Sequence, residues 1–254
     1  VSPLLKYSRK GSGLCQLGTA QILCGVGGKT AWKGLFDILG RGDLEINKAI
    51  SNWGTAAIRE LGEKEKTDLY GDFQKFAESL DEKTQRPALI SAIRFIGQIG
   101  RPKSRRWLFA SVSTEHHHSI RFHVLVALLR CLHDEALVVD EIGRLLRILE
   151  EQEYPDLMRL TLELLESHSL SEKFRPQLSR LLESPHPSVQ KFALRKMGEF
   201  HTPGVARTLI EQLGDRDYTR RDAAAHSLQK MPEARSALMK EFLACDDASK
   251  AWSM

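Results

Sequence analysis

A glycine-rich segment at residues 25–30 has the composition of a phosphate-binding loop. It reads Gly-Val-Gly-Gly-Lys-Thr, so a lysine and a threonine follow the glycines. The phosphate-loop motif G-x-x-x-x-G-K-[ST] needs its first glycine at position 23, where this sequence has Leu23. No parallel-sheet pattern follows that could supply the strand and the metal-binding aspartate of such a loop. The segment therefore predicts a glycine-rich turn between two helices.

A run of three histidines at residues 116–118 could indicate a metal site, and His123 and His133 lie near it in the sequence. Metal ligands on a helix are spaced three or four residues apart and are backed by a carboxylate. His118 and His123 are five residues apart, and adjacent histidines cannot easily all face one ion. We therefore predict a solvated loop here, with no metal, and no other motif calls for a cofactor.

Catalytic residues are not evident elsewhere in the sequence. The cysteines are scattered without C-x-x-C spacing, which argues against a zinc site or a disulfide framework and favours a reducing, cytoplasmic compartment. They are Cys15, Cys24, Cys131 and Cys245. An enzyme would need a buried carboxylate or a reactive cysteine that the pattern does not identify. We therefore assign no catalytic residue and favour a binding function.

The segment 101–107 is the strongest single candidate for a binding site. Its arginines could pair with phosphates while its indole ring stacks on a base. The residues concerned are Arg101, Arg105, Arg106 and Trp107. A packing interpretation stands beside this one, because Thr208, at the equivalent position of a later repeat, directly precedes a core leucine. In that case Trp107 packs between outer helices and the arginines are solvated.

The candidate segment belongs to a repeating pattern that is clearest at residues 182–213. Apolar residues at helical spacing predict one helix over 189–200 and a second over 205–213. Pro187 and Pro203 stand where a proline suits the first turn of each helix. The unit is therefore a pair of antiparallel helices joined by a short turn.

The central string of this unit, residues 193–198, recurs along the chain. Copies align at 57–62, 92–97 and 224–228, and weaker ones at 20–25, 124–128 and 161–165. The small alanine lets a neighbouring helix approach, and the large apolar residue one turn later fills the layer between repeats. The glycine after it is expected to end the helix or to permit a tight turn. One such pair cannot bury its own apolar face, so several must stack.

One copy of the string resembles the HEAT-like repeat family, particularly the short repeats first seen in phycobilin lyases. The residues that carry the resemblance are His186, Pro187, Val189, Ala193, Leu194, Met197 and Gly198. It covers residues 51–243 and implies an all-α fold, an α-solenoid in which antiparallel helix pairs form a right-handed superhelix. The family's Val-Arg pair is missing, because Gln190 follows Val189, but the packing positions are kept. HEAT-fold hydroxylases that modify a translation factor carry paired His-Glu dipeptides, which this sequence lacks, so that activity is excluded.

The repeat pattern divides the chain into three parts. Residues 1–50 are predicted to be an atypical or capping repeat, residues 51–243 the solenoid, and residues 244–254 a frayed tail. The apolar stretch 14–32 is interrupted by polar residues and glycines, whereas a membrane-spanning helix needs about 20 predominantly apolar residues. Membrane contact is therefore not expected.

A row of charged positions is predicted on the concave surface of the solenoid. The residue two places after each central alanine would face it: Arg59, Arg94, Val126, Glu163, Arg195 and His226, with Lys191, Arg220 and Arg221 close by. Basic residues dominate 101–132 and 173–207, whereas ten acidic residues lie between 133 and 166. A continuous nucleic-acid backbone would meet this acidic band midway.

These patterns predict a non-catalytic scaffold or adaptor that binds a protein or peptide along its concave face, as part of a larger complex. Stacked repeats form a rigid groove, which lowers the ordering cost of binding. The net charge of +4 permits nucleic acid as a partner without requiring it. The alternative is therefore a nucleic-acid-binding solenoid, similar to the HEAT-like DNA glycosylases. The candidate binding residues are Arg94, Arg101, Arg105, Arg106, Trp107, Lys191, Arg195, Arg220 and Arg221.

Overall fold

The chain folds into helices throughout the part that the structure describes. The computed structural model describes residues 2–41, 43–100, 102–112, 115–132, 136–151 and 153–245. These residues form fifteen α-helices and two short 3₁₀ helices and contain no strand, so the predicted all-α fold is confirmed. The chain divides into two compact units, Val1–Glu135 and Ala136–Met254.

The first unit consists of two layers of helices. Its helices are α1 (Ser2–Lys10), α2 (Gly13–Val26), α3 (Gly28–Leu39), α4 (Leu44–Glu60), α5 (Glu63–Glu78), α6 (Glu82–Ile99), α7 (Pro102–Ala110) and α8 (His118–Cys131). Helices α2, α4, α6 and α8 pack side by side in that order, and we call them the inner layer because α4 and α6 carry the repeating string. Helices α3, α5 and α7 pack against the inner layer and form the outer layer.

The second unit has the same arrangement. Its helices are α9 (Val139–Glu151), α10 (Pro155–Glu166), α11 (Arg175–Leu181), α12 (Pro187–Gly198), α13 (Pro203–Gln212), α14 (Tyr218–Gln229) and α15 (Arg235–Leu243), with 3₁₀ helices at Glu172–Phe174 and Pro232–Ala234. Here α10, α12 and α14 form the inner layer, α9, α11 and α13 pack against it, and α15 packs against α13. Stacked helix pairs are therefore present within each unit. The right-handed superhelix and the domain limits stay predictions; α4 runs through the limit at residue 50.

Prolines and aspartates define where many of the helices begin. Pro155, Pro187 and Pro203 each lie in the first turn of their helix, where a missing amide proton costs nothing. Elsewhere an aspartate caps the helix: Asp43, Asp81 and Asp217 accept a backbone amide proton at the starts of α4, α6 and α14. Helices α12 and α13 each begin two residues before their predicted starts at 189 and 205, because Pro187 and Pro203 are themselves helical.

The glycine of the repeating string has a role that the sequence did not predict. Gly97 lies inside α6, which ends two residues later at Ile99, and it is Gly100 with φ 62° that terminates the helix. A Cβ atom at Gly97 would lie 2.5 Å from Cβ and 2.9 Å from Cα of Ala127 on α8. Gly198 contacts Ser227 on α14 in the same way. The expectation that this glycine ends the helix is therefore wrong for Gly97, because its absent side chain lets adjacent inner helices touch.

The glycine-rich segment 25–30 forms the predicted turn. Helix α2 ends at Val26 and α3 begins at Gly28, and both Gly27 (φ 65°) and Gly28 (φ 76°) adopt backbone conformations that favour glycine. The turn also interrupts the apolar stretch 14–32. Among the described residues, no helix combines the length and the apolar character that crossing a membrane requires.

Candidate binding surface on the inner layer

The described part of the segment 101–107, residues 102–107, lies on the outer layer rather than on the inner surface. Arg101 is outside the described residues, and the rest belongs to α7, which packs against α6 and α8. Trp107 is half-buried, and its Nε1 donates a hydrogen bond to Oε1 of Glu78 on α5 at 3.1 Å. These contacts favour the packing interpretation of Trp107. Arg105 lies 6.0 Å from the ring centre of Phe109, and Arg106 is exposed.

The inner layer of the first unit carries three arginines without an acidic partner among the described residues. Arg59 on α4 and Arg94 on α6 occupy equivalent positions of the repeating string, and Arg130 lies on α8. Within the described ranges, none of the three is in an ion pair within 4.0 Å. Arg94 is half-buried and donates a hydrogen bond to the neutral Oδ1 of Asn52 at 3.2 Å. The surface therefore holds positive charge that the fold leaves uncompensated.

The pKa values on this surface reflect both burial and repulsion between like charges. Burial lowers the pKa of Arg94, and the nearby Arg130 lowers it further. The half-buried His123 has a lowered pKa as well, mainly because of burial and additionally because of Arg94 and Arg130. Its Nδ1 donates to the carbonyl oxygen of Ser119 at 2.8 Å, which opposes that shift. An anion bound here would relieve the repulsion between these groups.

We expect the folded protein to lose stability as the pH falls through the range in which His123 titrates. The folded state holds the pKa of His123 below its value of about 6.5 in an unfolded chain, so the unfolded state binds the proton first. The stabilisation is complete above that value and is lost as the pH falls below it. Urea denaturation at pH about 7.5 and about 5.5 should show a smaller acid-induced loss in His123→Gln than in the wild type. Equal losses would contradict this assignment.

The equivalent surface of the second unit is compensated. Arg195 on α12 occupies the position that Arg94 occupies on α6, but its Nη2 lies 2.5 Å from Oε2 of Glu166. Lys191, one turn earlier on the same helix, is exposed and has no ion-pair partner among the described residues. The repeat therefore places an arginine at the same position of α4, α6 and α12, and of these three only Arg195 on α12 is paired with a carboxylate among the described residues.

Arg220 and Arg221 hold a turn together at the start of α14. Arg220 pairs with Oδ2 of Asp215 at 3.0 Å and donates to Oε1 of Gln212 at 2.6 Å. Arg221 donates to the carbonyl oxygens of Asp215 at 2.8 Å and Arg216 at 3.0 Å. Their guanidinium groups therefore already serve the connection between α13 and α14.

Lys196 is a buried charged residue that the sequence analysis did not single out. Its side chain is 6% exposed, and its Nζ donates to the carbonyl oxygens of Glu166 at 2.9 Å and His168 at 2.8 Å and to Oε1 of Glu199 at 2.9 Å. Glu166 is the last residue of α10, so Lys196 satisfies carbonyl groups that a helix end leaves unpaired. The sequence did contain a signal for the burial of Lys196, because this residue falls between the core positions Ala193 and Met197.

The histidines of residues 116–118 serve local structure. Nδ1 of His116 lies 2.8 Å from Oε2 of Glu82, and His117 caps the start of α8 by accepting from the amide of Ser119. No group of three His, Cys, Asp or Glu side chains suited to a metal occurs among the described residues, and His133 lies outside them.

Burial raises the pKa of the Cys24 thiol to about 11, so it stays protonated at neutral pH.

Comparison with known proteins relates the C-terminal part of the chain to a family of helical repeats. A family model described as HEAT repeats matches residues 142–229 and again residues 174–249. No curated protein matches the chain. A solved structure of human deoxyhypusine hydroxylase in complex with glycerol is 14% identical over 99% of this chain and 92% of that one, and its TM-score of 0.41 supports no argument. Residues 142–249 therefore match HEAT repeats, which supports the resemblance to the HEAT-like repeat family seen in the sequence.

Proposed function

We propose that this chain is a non-catalytic scaffold or adaptor of the cytoplasm that binds a protein or peptide along its inner layer. The observation that carries the proposal is the set of arginines on the first unit, Arg59, Arg94 and Arg130, which have no acidic partner among the described residues. Charged groups that a fold leaves uncompensated on one surface are suited to a partner of the opposite charge. The partner segment is therefore acidic.

The comparison between the two units supports this assignment. Arg94 and Arg195 share a repeat position, but Arg94 contacts the neutral Asn52 whereas Arg195 contacts the carboxylate of Glu166. A guanidinium group can bind a carboxylate through two parallel hydrogen bonds, and Arg94 makes only the single bond to Asn52. The first unit is therefore the one whose inner surface offers arginine donors to a partner.

A second candidate is a nucleic-acid-binding function, because arginines bind phosphate groups as readily as carboxylates. Three arginine–phosphate contacts would give an affinity that falls with salt with a logarithmic slope of about −2 to −3. Trp107 does not favour this candidate, because its Nε1 is bonded to Glu78 on the outer layer. Arg105 and Arg106 are placed on that layer too.

The test is an affinity pull-down from native extract with and without nuclease, followed by titration of the partner against variants. We expect a protein partner that survives nuclease. Arg94→Gln keeps an amide donor for Asn52 but removes the charge, and it should weaken binding about ten-fold, the effect of losing one charged contact. Arg195→Gln is the matched control and should change the affinity less than about two-fold, because Glu166 already occupies that guanidinium.

Two outcomes would contradict the scaffold proposal. Partners that disappear with nuclease, together with the steep salt dependence, would establish the nucleic-acid candidate instead. Equal effects of Arg94→Gln and Arg195→Gln would show that the uncompensated arginines of the first unit are not the binding surface.

A further inference from the structure

A cavity of about 570 Å³ opens in the first unit, where α2 and α4 end and α3 and α5 begin. The glycines of the turn, together with Val26, Ala56 and Leu61, form part of its wall, and two tryptophans, Trp32 and Trp53, complete the apolar part. This volume is within the range of sites that bind small ligands or single side chains. None of these residues belongs to the charged row of the inner layer.

The charged side chains of this cavity are all acidic. Glu60 and Glu65 line it, and no lysine, arginine or histidine is among the described residues that do so. Neither carboxylate takes part in an ion pair in the described part of the chain. One oxygen of Glu65 accepts from the amide of Gly62 at 3.3 Å, which leaves its second oxygen for another donor. The cavity therefore favours a cationic occupant.

A buried polar atom supplies a second, independent indication of a ligand. Trp32 is 1% exposed and lines the cavity, and its Nε1 has no hydrogen-bond partner among the described residues. A buried donor without an acceptor costs free energy, and a ligand oxygen would supply the missing acceptor. The occupant therefore combines a cation with a carbonyl group, as a basic residue of a polypeptide does.

We infer that this cavity binds an arginine side chain of the protein partner, an assignment that rests on the proposed scaffold function. Arginine fits better than lysine because a guanidinium is planar, stacks on aromatic rings and is more weakly hydrated than an ammonium group. Trp53 offers such a ring, and Glu60 and Glu65 offer carboxylates that a guanidinium can bind through two hydrogen bonds.

The test uses the full chain and N-acetylarginine amide, measured by titration calorimetry. We expect saturable binding with a Kd of about 1 mM, as suits a ligand of this size. The citrulline analogue, which has the same shape without the charge, and the lysine analogue should each bind about ten-fold more weakly. Equal affinity for either analogue would overturn the assignment, and so would the absence of saturation at about 10 mM arginine probe.

Matched variants separate the cavity from the rest of the surface. Gly25 lies in α2 and lines the cavity, and a Cβ atom there meets nothing within 4 Å, so Gly25→Leu fills the space without a clash. We expect it to reduce probe binding at least ten-fold, whereas Gly18→Leu, in equally open space on the same helix, leaves it unchanged. Likewise Glu60→Gln should weaken binding, and Asp68→Asn, exposed on α5 outside the cavity, should not. Equal effects within either pair would contradict the site.

Failure of this inference is distinguishable from failure of the scaffold proposal. If the probe does not bind but Arg94→Gln still weakens partner binding, only the cavity assignment is wrong. If the probe binds and the Gly25→Leu and Gly18→Leu pair behaves as expected, but partners disappear with nuclease, the cavity is a guanidinium site and the scaffold proposal is wrong.

Discussion

Lys196→Met is expected to lower the free energy of unfolding by about 3 kcal/mol, because it leaves two partly buried carbonyl groups and a carboxylate without their shared donor. The methionine keeps the length and the apolar stem of the side chain, so little packing is lost. The carbonyl oxygens of Glu166 and His168 and a carboxylate oxygen of Glu199 lose their shared donor. Urea denaturation followed by circular dichroism measures the change.

Lys191→Met is the matched control for this prediction. Lys191 lies on the same helix, α12, but its side chain is exposed, so its replacement should change the free energy of unfolding by less than about 0.5 kcal/mol. If both variants lost the same small amount of unfolding free energy, the three hydrogen bonds of Lys196 would not stabilise the fold more than solvation of an exposed lysine does.

Gly97→Ala is expected to destabilise the protein by about 2–3 kcal/mol, because the new methyl group has no space. It would approach Cα of Ala127 to 2.9 Å, and a backbone atom of a packed helix cannot rotate away as a side chain can. Helices α6 and α8 must separate to accommodate it, and this loosens the inner layer of the first unit. The same urea denaturation measures the loss.

Gly71→Ala provides the opposite expectation with the same chemical change. Gly71 lies within α5, and a Cβ atom there meets nothing within 4 Å. Alanine is the better helix former by about 0.5–1 kcal/mol, so this variant should be more stable than the wild type. A stabilising effect of Gly97→Ala as well would show that α6 and α8 are not held at close contact.

The repeat could be predicted from the sequence because its signals are local. Pro187 and Pro203 stand at the first turn of α12 and α13, and helical spacing of apolar residues identified both helices. The role of Gly97 could not be predicted in this way. A glycine near a helix end is commonly a terminator, and its contact with Ala127, 30 positions later, depends on how two helices approach each other.

The candidate site was predictable only in part for the same reason. The repeating string identified Arg94 and Arg195 as equivalent positions, but not that Asn52 faces one and Glu166 the other. Those partners lie on the preceding inner helix, outside the string. Arg220 and Arg221 were grouped with Arg94 and Arg195 by proximity in sequence, whereas in the structure both contact Asp215 in the turn before α14.

The cavity beside the glycine turn had no sequence signal. Its acidic residues, Glu60 and Glu65, flank a helix boundary, and its aromatic residues, Trp32 and Trp53, lie on different helices. Only the packing of α2, α3, α4 and α5 brings them to one space. The glycines that resembled a phosphate loop do border a cavity, but its charged residues are acidic, which is opposite to the charge of a phosphate site.

The bonds of Lys196 also set the order in which the second unit would come apart under a mechanical load. A force that peels the chain from its C-terminal side must detach α12 before the last turn of α10 loosens, because Nζ of Lys196 holds the carbonyl of Glu166 at that turn. Detachment of α12 then removes the donor and lets the end of α10 fray. Peeling past α12 therefore weakens α10, the inner helix that would yield next.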